Sequence, residues 1–149
     1  MPAVYESSEF RFQYPENWRI VDDTDDTASD VVTVESPQGA IWTIACHDKD
    51  VDPKSLCEAA LDALRDEEDY VDFEVTAVED ETAGIASSGY DVYFSCIELI
   101  VAARIRCFRQ NDQTFLMLSQ AEIRDHDTLE PVFAAMTHSL LSPENADSA

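Results

Sequence analysis

Glycine is scarce in this 149-residue chain: there are three, and no phosphate-cradling loop or dinucleotide fingerprint can be built from them. Lysine is scarcer still. Only Lys49 and Lys54 are present, and nine basic residues stand against 32 acidic ones, a formal net charge of −23. Such a field repels phosphate backbones and anionic headgroups, so neither nucleic acid nor a membrane surface is an expected partner. A long apolar run is also missing. Leu99-Ile-Val-Ala-Ala103, as long as any, is flanked by charges and is far too short to span a bilayer. The opening MPAVYESSEF has no basic start and no apolar stretch, so no secretory signal is read and a cytoplasmic location is expected. In that compartment Cys46, Cys57, Cys96 and Cys107 are expected to be reduced.

What is present describes a folded protein. Apolar residues make up 45% and charged residues 28%, too apolar a mix for a disordered chain. The length suits one domain, residues 1–149, burying roughly 70% of its unfolded surface, with 143–149 as a frayed tail. The charge is uneven. Residues 1–80 hold 22 acids and 5 bases, whereas in segment 82–124 Asp91, Glu98, Asp112 and Glu122 are balanced by Arg104, Arg106, Arg109 and Arg124. That pattern fits a balanced sheet under a solvated anionic surface. The acidity has two readings: solubility or adaptation to a saline habitat, and recognition of a basic partner or divalent cation.

Hydropathy periods set the organisation. Phe10 to Tyr14 alternates and stops at Pro15, and Trp18 to Val21 makes a second short strand. Asp22-Asp-Thr-Asp-Asp-Thr27 is a polar loop. Val31–Glu35 and Ala40–Cys46 are β-branched runs joined by Ser36-Pro-Gln-Gly39, a hairpin. Asp52-Pro53 starts a helix, as an N-cap acid followed by proline at the first helical position, with Leu56, Cys57, Ala60, Leu61 and Leu64 on one stripe. From Val71 to Arg124 the period becomes two. Tyr90, Val92 and Phe94 form one apolar face, and Ile97, Leu99, Val101, Ala103, Ile105 and Cys107 form another. Breaks this short imply antiparallel hairpins, Gly84 marking a turn and Gly89 a bulge. A last helix starts near Asp127, where Asp127 and Glu130 fit a capping box and Leu129, Val132, Phe133, Met136 and Leu140 form the stripe. The expected class is α+β: an antiparallel six- to seven-stranded sheet covered by two main helices.

No catalytic motif, metal site or cofactor is expected. Asp48-Lys-Asp-Val-Asp-Pro53 begins like a calcium loop, but Pro53 and Ala59 stand where the glycine and the bidentate glutamate are required, so it reads as a turn feeding a helix cap. Cys46-His47 cannot converge on zinc, because strand neighbours point to opposite faces. A Cys-His pair built from Cys46 or Cys57 with His126 or His138 has no positive support in the sequence. The unusual feature is arginine on strands. Arg104 and Arg106 share a face with Glu98 and Phe108, and have two readings: cross-strand pairing with carboxylates such as Glu122 or Asp91, or a recessed groove for a carboxylate or acidic peptide.

Several segments together resemble a known family. Phe12-Gln-Tyr-Pro-Glu-Asn-Trp18 is similar to the "aromatic, Tyr-Pro, x, x, Trp" opening of Mog1/PsbP-like domains. Val32-Thr-Val34 with Ser36-Pro-Gln-Gly39, Phe108-Arg-Gln-Asn-Asp112 with Phe115, and Phe133, Met136, Ser139 and Leu140 resemble the family's hairpin, late strand pair and closing helix. The resemblance, to a bacterial member, covers nearly the whole chain and implies an α/β/α sandwich. Members of that family bind a small GTPase, serve a photosynthetic complex or act as adaptors for secreted proteins. The expectation carried over is a non-catalytic cytosolic protein-binding or chaperone-like module with a protein partner. The alternative is a binder of small anions or carboxylates, or an enzyme, using the arginine-bearing face.

Overall fold

The computed structural model describes residues 2–6, 11–21, 30–48, 50–82, 84–110 and 112–141. The acidic loop 22–27 and the tail 143–149 lie outside the described residues. β1 (Pro2–Glu6) and β2 (Arg11–Pro15) form a two-stranded antiparallel ribbon of their own. β3 (Arg19–Val21), β4 (Asp30–Glu35), β5 (Ile41–Asp48), β6 (Tyr70–Thr82), β7 (Ile85–Cys96), β8 (Leu99–Gln110) and β9 (Gln113–Glu122) build a seven-stranded antiparallel sheet in the order β3-β4-β5-β9-β8-β7-β6. The expected class therefore holds.

The two faces of the sheet follow from the pleat. On β8, Val101, Ala103, Ile105 and Cys107 meet α1 (Pro53–Arg65), whose Cys57, Leu61 and Leu64 are buried against them. The intervening Phe108, with Phe115 and Met117 of β9, faces α2 (Ile123–Leu141) and the β1–β2 ribbon. One helix thus roofs each face. The α2 side is the aromatic side. Trp42, wholly buried, lies 4.7 Å from the Phe12 ring, and its indole nitrogen donates to Thr137 Oγ1 at 3.3 Å. Trp18 meets Phe133 edge-on at 5.8 Å. Burying each such ring contributes about 2–3 kcal/mol.

Local chemistry sets the ends. Asp52 Oδ2 accepts from the Ser55 backbone N–H at 3.2 Å, which is the cap on α1 that Asp52-Pro53 announced. The turn after β4 is closed by Ser36 and Ala40, with Gly39 at φ +93.

Several expectations are corrected. Cys57 and Cys107 are joined in a disulfide that fastens α1 to β8, whereas Cys46 and Cys96 remain thiols. The last helix starts at Ile123, a turn before Asp127, so Asp127 and Glu130 lie inside it and Pro131 is a helical residue. Gly89 carries no bulge: it pairs regularly with Arg106 and Val78, and the register shift falls between Val71 and Glu74. Among the described residues no helix is long and apolar enough to cross a membrane.

Candidate functional site

The two strand arginines come together as expected, and carboxylates hold both. Because Ile105 and Cys107 take the α1 face, Arg104 and Arg106 project toward α2. Gly89, directly across from Arg106, has no Cβ; one placed there would strike the Ile105 carbonyl oxygen. Arg106 is buried at 6% exposure. Its Nε donates to Asp80 Oδ2 at 2.9 Å, and Nη2 donates to Asp91 Oδ1 at 2.8 Å. Its Nη1 reaches the carbonyls of Tyr90 and Ile105 at 3.1 and 3.0 Å. Arg104 sits 3.7 Å from Asp91 and 3.5 Å from Glu130 of α2. Asp91 is the partner suggested by the sequence; Glu122 pairs instead with Arg124, at 2.9 Å. Two guanidinium groups facing three carboxylates leave no surplus of positive charge.

Between this network and α2 lies a cavity of about 120 Å³, lined by both arginines with Ser87, Ser119, Phe133 and Thr137. On α2, beside Arg104, His126, Asp127 and Glu130 bring three potential ligand atoms within 4.8 Å of one another. The Arg104 guanidinium already lies against Glu130, so a cation there would meet an opposing positive charge. Cys57 lies on the buried face of α1, on the opposite side of the sheet from His126 and His138 of α2, and its sulfur is bound to Cys107. That removes the Cys57–His pairing. A wider apolar groove of about 590 Å³ runs between the end of β2 and α2, past Tyr14, Pro15, Pro131 and Val132.

The most exposed apolar surface lies elsewhere. Val71, Tyr93, Ile97, Leu99, Ile100 and Ile123 are large apolar residues left in solvent. The strand register gathers most of them at one end of the sheet. Val71 lies opposite Ser95, which lies opposite Ile100; Tyr93 faces Ala102 two residues along; Ile97 caps the β7–β8 turn. Ile123 follows directly on Glu122, the partner of Val101.

Ile97 is the odd residue in this group. It is 77% exposed and adopts φ +54, a left-handed conformation that suits glycine or asparagine and penalises a β-branched side chain. Alternation predicts Ile97 and Leu99 on one apolar face with Val101, whereas both are exposed. The signal against it was the pair Ile97-Glu98 itself, the only residues available to turn the chain between two long strands.

No protein-family profile matches the chain, and no curated protein matches it in sequence. Solved structures do resemble it. The cyanobacterial PsbP protein CyanoP of Synechocystis sp. PCC 6803 is 13% identical over 93% of this chain and 90% of its own, with a TM-score of 0.63. PA94 of Pseudomonas aeruginosa, a protein of unknown function, is 14% identical over 94% and 96%, with a TM-score of 0.53. A protein of Bacteroides thetaiotaomicron VPI-5482 is 12% identical over 85% of this chain and 43% of its own, with a TM-score of 0.56. At these identities the likeness is one of fold. The fold is PsbP-like.

Proposed function

We propose that the chain is a non-catalytic protein-binding module of the Mog1/PsbP kind, and that it binds through the apolar end of its sheet. Ile97 carries this reading. A bulky aliphatic side chain in solvent, on a backbone conformation that disfavours it by about 1 kcal/mol, gains nothing for the isolated fold. Strain kept at an exposed tip fits a residue whose contact is made with another molecule. The Cys57–Cys107 bond favours an oxidising compartment for this work over the cytoplasm suggested by the sequence.

The test compares wild-type protein with Ile97→Asn as bait. Asparagine accepts the left-handed conformation, so the variant should be more stable, by about 0.5–1 kcal/mol, in urea unfolding. It should also lose a protein that the wild type retains at stoichiometric level. Identical captures from both baits, or none from the wild type, would remove the reading.

A second reading, small-carboxylate binding at Arg104 and Arg106, is favoured by the cavity beside them, where Ser87, Ser119 and Thr137 stand among apolar side chains. A ligand there must displace Asp80 or Asp91 from Arg106. It predicts that small carboxylates raise the melting temperature of the wild type and not of Arg104→Ala. Equal melting curves would dismiss it.

A further inference from the structure

β6 ends the sheet, and among the described residues no strand pairs with its outer edge. At 13 residues it is the longest of the described strands, and from Glu74 to Thr82 its pairing with β7 is continuous. An edge of this length is a template for another chain, and proteins normally blunt one with charge, proline or a bulge. Here the bulge is confined to the first residues, between Val71 and Glu74, with Asp72 at φ +58. The charge is of one sign: Asp72, Glu74, Glu79, Asp80 and Glu81, with no basic residue on the strand.

That choice of guard is selective. Two copies meeting edge to edge would set acid against acid, which is destabilising across a strand pair, and the net charge of −23 opposes their approach. A strand carrying lysine or arginine meets no such barrier, and the same field draws it in. On the α1 side of the sheet, beside this edge, a groove of about 520 Å³ opens between Lys54 and Glu58 of α1, Ala77–Glu79 of β6 and Ser88–Tyr90 of β7, so that apolar side chains suit it and cations belong along the strand's acidic residues. Alternate side chains of an added strand would have room there. At its start β6 reaches Val71, part of the apolar end described above.

We propose that the edge of β6 is the docking site for an extended, basic segment of a partner protein, which adds to the sheet as a further strand. Its main chain would pair with Glu74 to Glu81, its cations would answer the carboxylates, and apolar residues beyond it would cover Val71 and Ile100. The proposal rests on the protein-binding reading and names the chemistry of the partner.

Any cationic peptide will be attracted to this protein, so the test must separate charge from strand pairing. Three short labelled peptides serve: alternating lysine and valine, the same peptide with the valine backbone nitrogens methylated, and alternating glutamate and valine. The first should bind by fluorescence anisotropy and slow hydrogen exchange of amides between Glu74 and Glu81. Methylation keeps every charge but removes the donors along one edge, and should weaken binding at least about tenfold. The glutamate peptide should not bind, and Glu74→Lys with Glu79→Lys, both exposed, should weaken the lysine peptide without loss of folding. Equal affinity of the methylated and unmethylated peptides, or exchange slowed elsewhere than on β6, overturns the proposal. Should that happen while Ile97→Asn still loses the natural partner, the β6 assignment falls and the protein-binding reading stands.

Discussion

Reducing the Cys57–Cys107 bond is expected to lower the stability of the fold by about 4 kcal/mol, the largest single effect anticipated here. The bond closes a loop with a sequence separation of 50 residues, running from α1 through β6 and β7 to β8. Opening it returns that loop's conformational freedom to the unfolded chain, and on a chain-entropy account a loop of this length is worth that much. For a domain of this size the melting temperature should fall by about 10 °C. Both cysteines are buried at 1% exposure, so reductant should act slowly on the folded protein and quickly in denaturant. Melting curves with and without reductant make the measurement, with the double variant Cys57→Ala and Cys107→Ala as reference. That variant should melt low and ignore reductant, while Cys96→Ser, at a half-buried position outside the bond, should melt near the wild type. A double variant that melts together with the untreated wild type would show that the bond carries no stability. It would also withdraw the argument for an oxidising compartment.

How much of this was legible in the sequence depends on the range of the interaction. Signals confined to a few residues were read correctly. Asp52 caps α1, Ser36 to Gly39 turns one hairpin, and Leu61, Leu64, Phe133 and Met136 are buried on their helical stripes. Period-two alternation also gave the α1 face of β8 from Val101 to Cys107, because Arg104 and Arg106 interrupt the apolar run on the other face. Long-range pairing left no such trace. β5 lies against β9, some seventy residues later, and nothing in either segment names the other. The cysteine pair failed for the same reason: a thiol in an apolar strand looks alike whether or not a partner lies above it.

The remaining misses came from local signals that had two meanings. Asp127 and Glu130 have the spacing of a capping box, but the same spacing occurs one turn inside a helix, and Ile123 lies early enough to start it. Ile97 continued the alternation toward Val101 on paper, whereas a two-residue turn interrupts it in space. The candidate site was legible in part. Arg104 and Arg106 were singled out, and their shared carboxylate Asp91 was one of two named, but Asp80 and Glu130 come from β6 and α2 and could not be placed from the sequence.

Replacing Arg106 by alanine should cost about 3 kcal/mol, and replacing Arg104 by alanine about 1 kcal/mol or less. The difference follows from burial and geometry. The Arg106 side chain is 7% exposed and donates to two carboxylates and two backbone carbonyls at hydrogen-bond distance. Its removal strips Asp80 and Asp91 of a shared cation. Asp80 and Asp91 are themselves 51% and 32% exposed, so water compensates in part and the loss falls at the low end for a buried pair. Arg104 is one-third exposed, and its ion pairs at 3.5 and 3.7 Å are too long for strong hydrogen bonds. Arg106→Lys should recover only part of the loss, since an ammonium cannot fork between Asp80 and Asp91 as a guanidinium does. Urea unfolding of the three variants gives the ordering. If Arg106→Ala proved as mild as Arg104→Ala, the network would not be holding β6, β7 and β8 together. The buried guanidinium would then need another purpose, and the adjoining cavity would become the first place to look for a bound carboxylate.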